Sequence, residues 1–161
     1  MAVALCPGSF DPPTNGHVDV IERACRHFER VVVSVVENPS KSPLFTPEER
    51  VELLRSVLGH LENVSVESHR GLLMDLVRER GASVIVKGLR ALSDVERELQ
   101  MAQMNASLLE GVDTIFITTD PRWGFVSSSL VKEVATYGGD VRNLVPHKVN
   151  EALTGRLRAQ G

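Results

Sequence analysis

Cysteine is nearly missing from this chain: of its 161 residues only Cys6 and Cys25 are cysteines, with no CxxC pair and no His/Cys cluster near them. Cys6 lies in a strand pattern and Cys25 on the apolar face of a helix pattern, so both read as buried thiols, which excludes a structural zinc site or a disulfide framework. No apolar run approaches membrane-spanning length, and residues 1–5 lack a basic segment leading into a long apolar one. A cytoplasmic protein is therefore expected. Positive charge is in deficit as well. Eighteen Lys and Arg stand against 21 Asp and Glu, a net charge of −3, which argues against a nucleic-acid surface and requires an anionic ligand to be met by a local cluster of cations. Internal repeats, low-complexity segments and linkers are lacking. With an apolar content of 42% and a charged content of 24%, residues 1–161 read as one ordinary globular domain, long enough to enclose a core.

Two familiar phosphate loops are also absent. Gly8 and Gly16 are too far apart for GxxxxGK[ST], no lysine follows them, and there is no GxGxxG fingerprint. What stands there instead is Gly8-Ser9-Phe10-Asp11-Pro12-Pro13-Thr14-Asn15-Gly16-His17. This glycine-bounded polar turn joins an apolar strand pattern, Ala2 to Cys6, to a helix pattern in which Val18, Ile21, Ala24, Cys25 and Phe28 recur at helical spacing. The turn therefore faces a helix N-terminus, where unpaired N–H groups and the positive end of the dipole favour an anion, and His17 adds a side-chain donor. The plainer alternative is that Gly16-His17 only starts the helix.

Strand and helix patterns keep alternating. Arg30 to Val36 is a β-branched run suited to a strand buried on both faces. Glu48 to Leu58 is a helix with Thr46 as N-cap, Pro47 at N1, Glu49 completing a capping box and Gly59 after its end. Val64 to Glu67 is a strand, Leu72 to Arg80 a helix closed by Gly81, and Ser83 to Val86 a strand. Ser93 with Glu96 forms a second capping-box pattern opening a helix to about Leu109. Thr114 to Thr118 is the fifth strand, Ser128 to Tyr137 a helix ended by Gly138-Gly139, and Pro146 to Arg158 a terminal helix.

Five strands separated by helices predict an α/β fold, a doubly wound, five-stranded parallel sheet, Rossmann-like, with C-terminal helices; the order taken for it is 3-2-1-4-5, which sets the segments after the first and fourth strands beside the reversal. Ligands bind such sheets beyond the carboxyl ends of the strands, at the point where strand order reverses. The chemically distinctive segments all follow strands: Gly8–His17 the first, Lys41 the second, Lys87-Gly88-Leu89-Arg90 the fourth, and Trp123–Ser129 the fifth. Lys87 and Arg90 bracket a glycine that lets backbone approach a ligand, and their charges suit phosphate oxygens; a solvated surface pair is the bland alternative. Lys41 sits in the turn-rich Asn38-Pro39-Ser40-Lys41-Ser42-Pro43. Ser127-Ser128-Ser129 offers hydroxyls and N–H groups at a helix start with Lys132 one turn on, and capping needs only one of the three serines.

GSFDPPTNGH resembles the GxFDPxxxGH motif of the nucleotidyltransferase superfamily. Together with PSKSPLFTPEER, VIVKGLR, the ELQMAQMN run from Glu98 and WGFVSSSLVKEV from Trp123, in this order, nearly the whole chain is similar to the bacterial phosphopantetheine adenylyltransferases. That resemblance implies transfer of the adenylyl group of ATP to 4′-phosphopantetheine, giving dephospho-coenzyme A and pyrophosphate in the presence of Mg²⁺, the penultimate step of coenzyme A synthesis. It also implies a homohexamer and feedback by coenzyme A. By the same resemblance Ser9 and Phe10 meet the ATP phosphates and the acceptor, and His17 stabilises the transition state at the ATP phosphates. Lys41 and Lys87 bind the acceptor's phosphate side and Leu73 lines its pantetheine arm. Gly88, Leu89, Arg90, Glu98, Trp123, Gly124, Phe125, Val126, Ser127, Ser128 and Ser129 hold ATP, and His17, Lys41, Lys87 and Arg90 form the catalytic set. Three departures stand out: Ser9 where some relatives carry Thr, Lys87 where others carry Arg, and the Pro12-Pro13 pair.

A covalent nucleophile set and a pair of carboxylates for general-base work are both lacking. Neither is needed, because a phosphomonoester with a second pKa of about 6 is already largely dianionic at neutral pH. Aligning two polyanions and neutralising charge then suffices. No Asp/Glu cage is visible, so Mg²⁺ is expected to ride on the substrate phosphates, with Asp11 fixing the turn. Two rival readings stay open: another small nucleotidyltransferase with a different phosphorylated acceptor, such as nicotinamide mononucleotide or glycerol phosphate, and a non-catalytic module that senses ATP or coenzyme A.

Overall fold

The β-branched run Arg30–Val36 forms β2, buried from Val31 to Val35, as its composition requires of a central strand. In the computed structural model, which describes residues 2–161, it lies beside β1 (Val3–Gly8), with β3 (Val64–His69) on its other side. β4 (Val84–Leu89) and β5 (Asp113–Thr118) complete a parallel sheet of order β3-β2-β1-β4-β5, the predicted order.

Crossover helices cover both faces. α1 (Asn15–His27) and α2 (Pro47–Leu58) seal one face around Ile21, Ala24, Val33, Leu54 and Leu58, while α3 (Leu73–Arg80) closes the other around Leu5, Met74, Val77 and Ile85. α4 (Leu92–Leu108) links β4 to β5, and α5 (Ser128–Thr136) and α6 (His147–Gln160) are the C-terminal helices. A third apolar cluster, including Phe45, Val131, Val145 and Leu153, joins these last two to the loop before α2. The Thr46 capping box forms: its hydroxyl accepts from Glu49 N and its N–H donates to Glu49 Oε1, both at 3.1 Å. Gly81 closes α3 in the left-handed region at φ 62°.

The second capping box does not form. α4 begins at Leu92, with only two residues between it and the strand end at Leu89, so Ser93 falls inside the first turn and Ala91 occupies the cap position without a side-chain bond. β4 also outruns the apolar segment that marked it. Lys87, Gly88 and Leu89 pair with Phe116, Ile117 and Thr118, because the ladder to β5 needs backbone groups and not apolar side chains. Between β1 and β4, by contrast, pairing is confined to Ala4–Val84 and Leu5–Ile85. Beyond that point the two strands part, and Pro7, which has no N–H to offer, lies in the stretch where the ladder lapses. The opening at the reversal of strand order is the floor of the site.

Candidate active site

The turn after β1 is held from within. Phe10 takes a left-handed conformation, φ 50°, uncommon for a bulky side chain, and its buried ring lies over Gly8, where an added Cβ would come within 3.0 Å of the ring carbons. Its ring meets His17 edge-on with centroids 4.9 Å apart. Thr14 caps α1 by accepting from His17 N at 3.3 Å, and Thr14 N–H donates to His17 Nδ1 at 3.0 Å. Because Nδ1 is an acceptor, a neutral ring carries its proton on Nε2. Burial, then the charges of Arg90 and Lys87, lower the His17 pKa to about 4. His17 is thus a neutral donor at physiological pH, and it both starts the helix and lines the cleft.

Asp11 is buried and accepts from Leu44 N, Phe45 N and Lys132 Nζ, each at 2.9 Å. Burial alone would raise its pKa, but the Lys132 bond and the two backbone bonds outweigh that and hold it below the usual carboxylate range. Asp11 therefore fixes the turn, the role expected of it. Lys132, expected near an anion, is committed to this carboxylate.

A cleft of about 330 Å³ opens between the parted strands. Ser9, Phe10 and His17 reach it from the first turn, Lys41 from the loop after β2, and Lys87, Gly88 and Arg90 from the end of β4. Glu98 enters from α4, and Val126 with Ser127, Ser128 and Ser129 from the start of α5. Lys87 pairs with Glu98 at 3.4 Å and Arg90 with Asp94 at 3.6 Å, while Arg90 Nη1 donates to Val126 O at 2.9 Å. The three serines divide their work. Ser127 caps α5 by accepting from Leu130 N, Ser128 donates to Pro12 O at 2.7 Å, and Ser129 stays exposed on the cleft wall. Gly88 has a further reason to be glycine, since a Cβ there would stand 3.0 Å from Val20 Cγ2 on α1.

Five other singled-out residues are not on this wall. Leu73 starts α3 and packs on the second core cluster, and Leu89 ends β4. Trp123 ends a short 3-10 turn, Pro121–Trp123, packs on the third core cluster and stacks under Arg122 at 5.3 Å; Gly124 caps that turn. Phe125 is exposed. The cleft also contains Thr14, named above only as part of the Gly8–His17 turn, and Asp94 and Thr119, which no motif marks. Thr119 follows the fifth strand directly, so the strand-end rule reaches it, and Asp94 stands four residues after Arg90, a helical pairing distance. Both cysteines are free; Cys6 is buried, and burial, then Cys25, push its thiol up to about 12, so it lines the cleft as an inert SH.

Around this parted sheet, with its Gly-His and serine-rich helix starts facing the opening, residues 5–134 match the cytidylyltransferase-like family, which places the chain in the nucleotidyltransferase class. A crystal structure of a "Putative Nicotinate-nucleotide Adenylyltransferase" from Vibrio parahaemolyticus has the same fold, with a TM-score of 0.69 over 100% of this chain and 98% of that one at 20% identity. Phosphopantetheine adenylyltransferase of Streptomyces coelicolor is 58% identical over 158 residues, 98% of this chain and 99% of that relative. The chain belongs to the phosphopantetheine adenylyltransferase family.

Proposed function

We propose that the protein transfers the adenylyl group of ATP to 4′-phosphopantetheine, releasing pyrophosphate and dephospho-coenzyme A. The observation that carries this reading is the meeting of Ser9, His17, Lys41, Lys87, Arg90 and the α5 N-terminus in one cleft, in a chain 58% identical to a phosphopantetheine adenylyltransferase. An oxygen of the acceptor's phosphate attacks the α-phosphorus of ATP. The new O–P bond forms as the bond to the bridging oxygen breaks, and that electron pair leaves with pyrophosphate. No proton has to be removed from the nucleophile.

The protein's part is alignment and charge neutralisation. Ser9 and Lys41 hold the acceptor phosphate, with Lys87 beside them. His17 Nε2–H donates to the α-phosphoryl oxygens where charge builds, and Arg90 with the α5 N–H groups takes the departing pyrophosphate. Glu98 and Val126–Ser129 hold the rest of ATP, with Trp123–Phe125 leading the chain into that segment, and the pantetheine arm runs out toward Leu73 at the start of α3. We place Mg²⁺ on the substrate phosphates, because Asp11, the acid of the phosphate-facing turn, is fully engaged by Leu44, Phe45 and Lys132. Bound there, the ion would neutralise phosphate charge and add no demand on the protein beyond room.

Self-association, as a hexamer by family likeness, is supported by the apolar residues that α4 exposes, among them Leu92, Leu99, Met104 and Leu108. Feedback by coenzyme A is proposed at the same cleft, since coenzyme A repeats the product's structure. We assign the protein to the cytoplasm, where its ATP is drawn; among the described residues no helix is long and apolar enough to cross a membrane. Purified protein incubated with Mg²⁺-ATP and 4′-phosphopantetheine should yield dephospho-coenzyme A by mass spectrometry. Product with nicotinamide mononucleotide or glycerol phosphate in its place, or ATP binding with no pyrophosphate released for any acceptor, would refute the assignment.

A further inference from the structure

We propose that Arg50 is a positioning residue of this reaction, holding the Ser9–Phe10 turn and the loop that carries Lys41 in fixed register so that both act on one acceptor phosphate. The inference rests on the roles given above to Ser9 and Lys41.

Arg50 lies on α2 and is 4% exposed, yet no carboxylate among the described residues is within ion-pair distance of it. Its charge is met by carbonyl oxygens. Nη1 donates to Ser9 O at 2.9 Å, and Nε donates to Phe45 O at 3.0 Å and to Thr46 O at 3.3 Å. A cation enclosed in this way is costly, and an apolar side chain would fill the space more cheaply; what the guanidinium adds is a rigid planar fork joining two distant backbone segments.

Both segments matter to the cleft. The Ser9 carbonyl leads into Phe10, whose left-handed backbone sets the ring against His17. Phe45 and Thr46 end the loop in which Lys41 stands. Asp11 grips the same loop end by its N–H groups, at Leu44 and Phe45. Arg50 supplies the complementary grip on carbonyls and alone of the two bonds back to Ser9. The guanidinium is also next to the ligand space: Arg50 lines a recess of about 250 Å³ that shares Ser9, Lys41, Ser128 and Ser129 with the main cleft. Nη2 has no hydrogen-bond partner among the described residues.

Arg50→Lys keeps the charge and loses the fork. With folding confirmed by far-UV circular dichroism, we expect kcat to fall about tenfold or more, because small misplacements of reacting groups cost that much. The KM for 4′-phosphopantetheine should rise at least about fivefold while the KM for ATP stays within about twofold. Smaller changes in kcat and acceptor KM, or an equal rise in both KM values, would overturn the positioning role, since general loosening of the fold does not discriminate between substrates. If Arg50→Lys does not fold, the unmodified enzyme decides. Its Arg50 Nε–H resonance, assigned through the backbone, should move more on adding 4′-phosphopantetheine than on adding Mg²⁺-ATP, and equal or absent shifts overturn the proposal. Absence of dephospho-coenzyme A with the unmodified enzyme overturns the reaction instead, and an unchanged acceptor KM in Lys41→Ala overturns the role of Lys41.

Discussion

On the α1 side of the cleft the polar groups are tied chiefly to backbone, His17 Nδ1 to Thr14 N and Asp11 to Leu44 N and Phe45 N, and Lys132, a cation on this side, is held by the buried Asp11. On the α4 side the cations are held by carboxylates, Lys87 by Glu98 and Arg90 by Asp94, with side chains a quarter to a third exposed. The two walls therefore differ in what a phosphate meets. The first is preorganised and near neutral, so a developing charge finds its donor already aimed. The second is a store of charge in ion pairs of low individual strength, and a polyphosphate can replace a carboxylate there at little cost. The walls are also coupled, because Arg90 and Lys87 help keep His17 uncharged.

The comparison breaks most sharply at His17. His17→Ala should lower kcat by about 100- to 1000-fold, the loss seen when one transition-state donor is removed, at a stability cost of only about 1 kcal/mol for the lost cap partner. Near-wild-type pyrophosphate release would end the idea of a preorganised wall. Lys41→Ala comes next. It should raise the KM for 4′-phosphopantetheine about tenfold and leave that for ATP nearly unchanged; steady-state kinetics showing equal loss for both substrates would contradict its assignment.

Acid unfolding tests the neutral state of His17. Its folded pKa of about 4 lies below the ordinary 6.5, so the unfolded chain takes up the proton first. The stability this contributes is complete above pH 6.5 and is lost as pH falls toward 4, with a slope of at most about 1.4 kcal/mol per pH unit. Asp11, also depressed, adds loss in the same direction at lower pH. Denaturant titrations of His17→Gln should flatten the upper window; an unchanged slope would show that the ring titrates normally. The smallest effect measures the coupling itself. Arg90→Met, and less strongly Lys87→Met, should raise the His17 pKa toward its ordinary value, read by NMR of the imidazole. No rise would leave the two walls electrostatically independent.

Much of this was legible in the chain. Near-continuous β-branched runs and 3.6-residue periodicity are local signals, so strands, helices and the Thr46 cap follow from neighbouring residues. Sheet order was not: right-handed crossovers allow more than one order of five parallel strands, and the expected 3-2-1-4-5 was one of them until the ladders were paired. GSFDPPTNGH marked the polar turn that joins β1 to α1 and lines the cleft, since its glycines and polar residues end one element and start the next. Ser93-Glu96 misled for the converse reason: a capping box is only a local preference, and the strand end at Leu89 started the helix before it.

Local preference carries no information about what lies far along the chain. That Asp11 meets Lys132, that Arg50 reaches Ser9, that Ser128 ties down Pro12, and that β1 and β4 part beyond Leu5 and Ile85 are all contacts between segments brought together by folding. Residue types and their spacing set which elements form and which chemistry stands at their ends. Burial, pairing partners and the neutral state of His17 come from the surrounding dielectric and from distant groups, and these exist only once the sheet is assembled and its helices are packed.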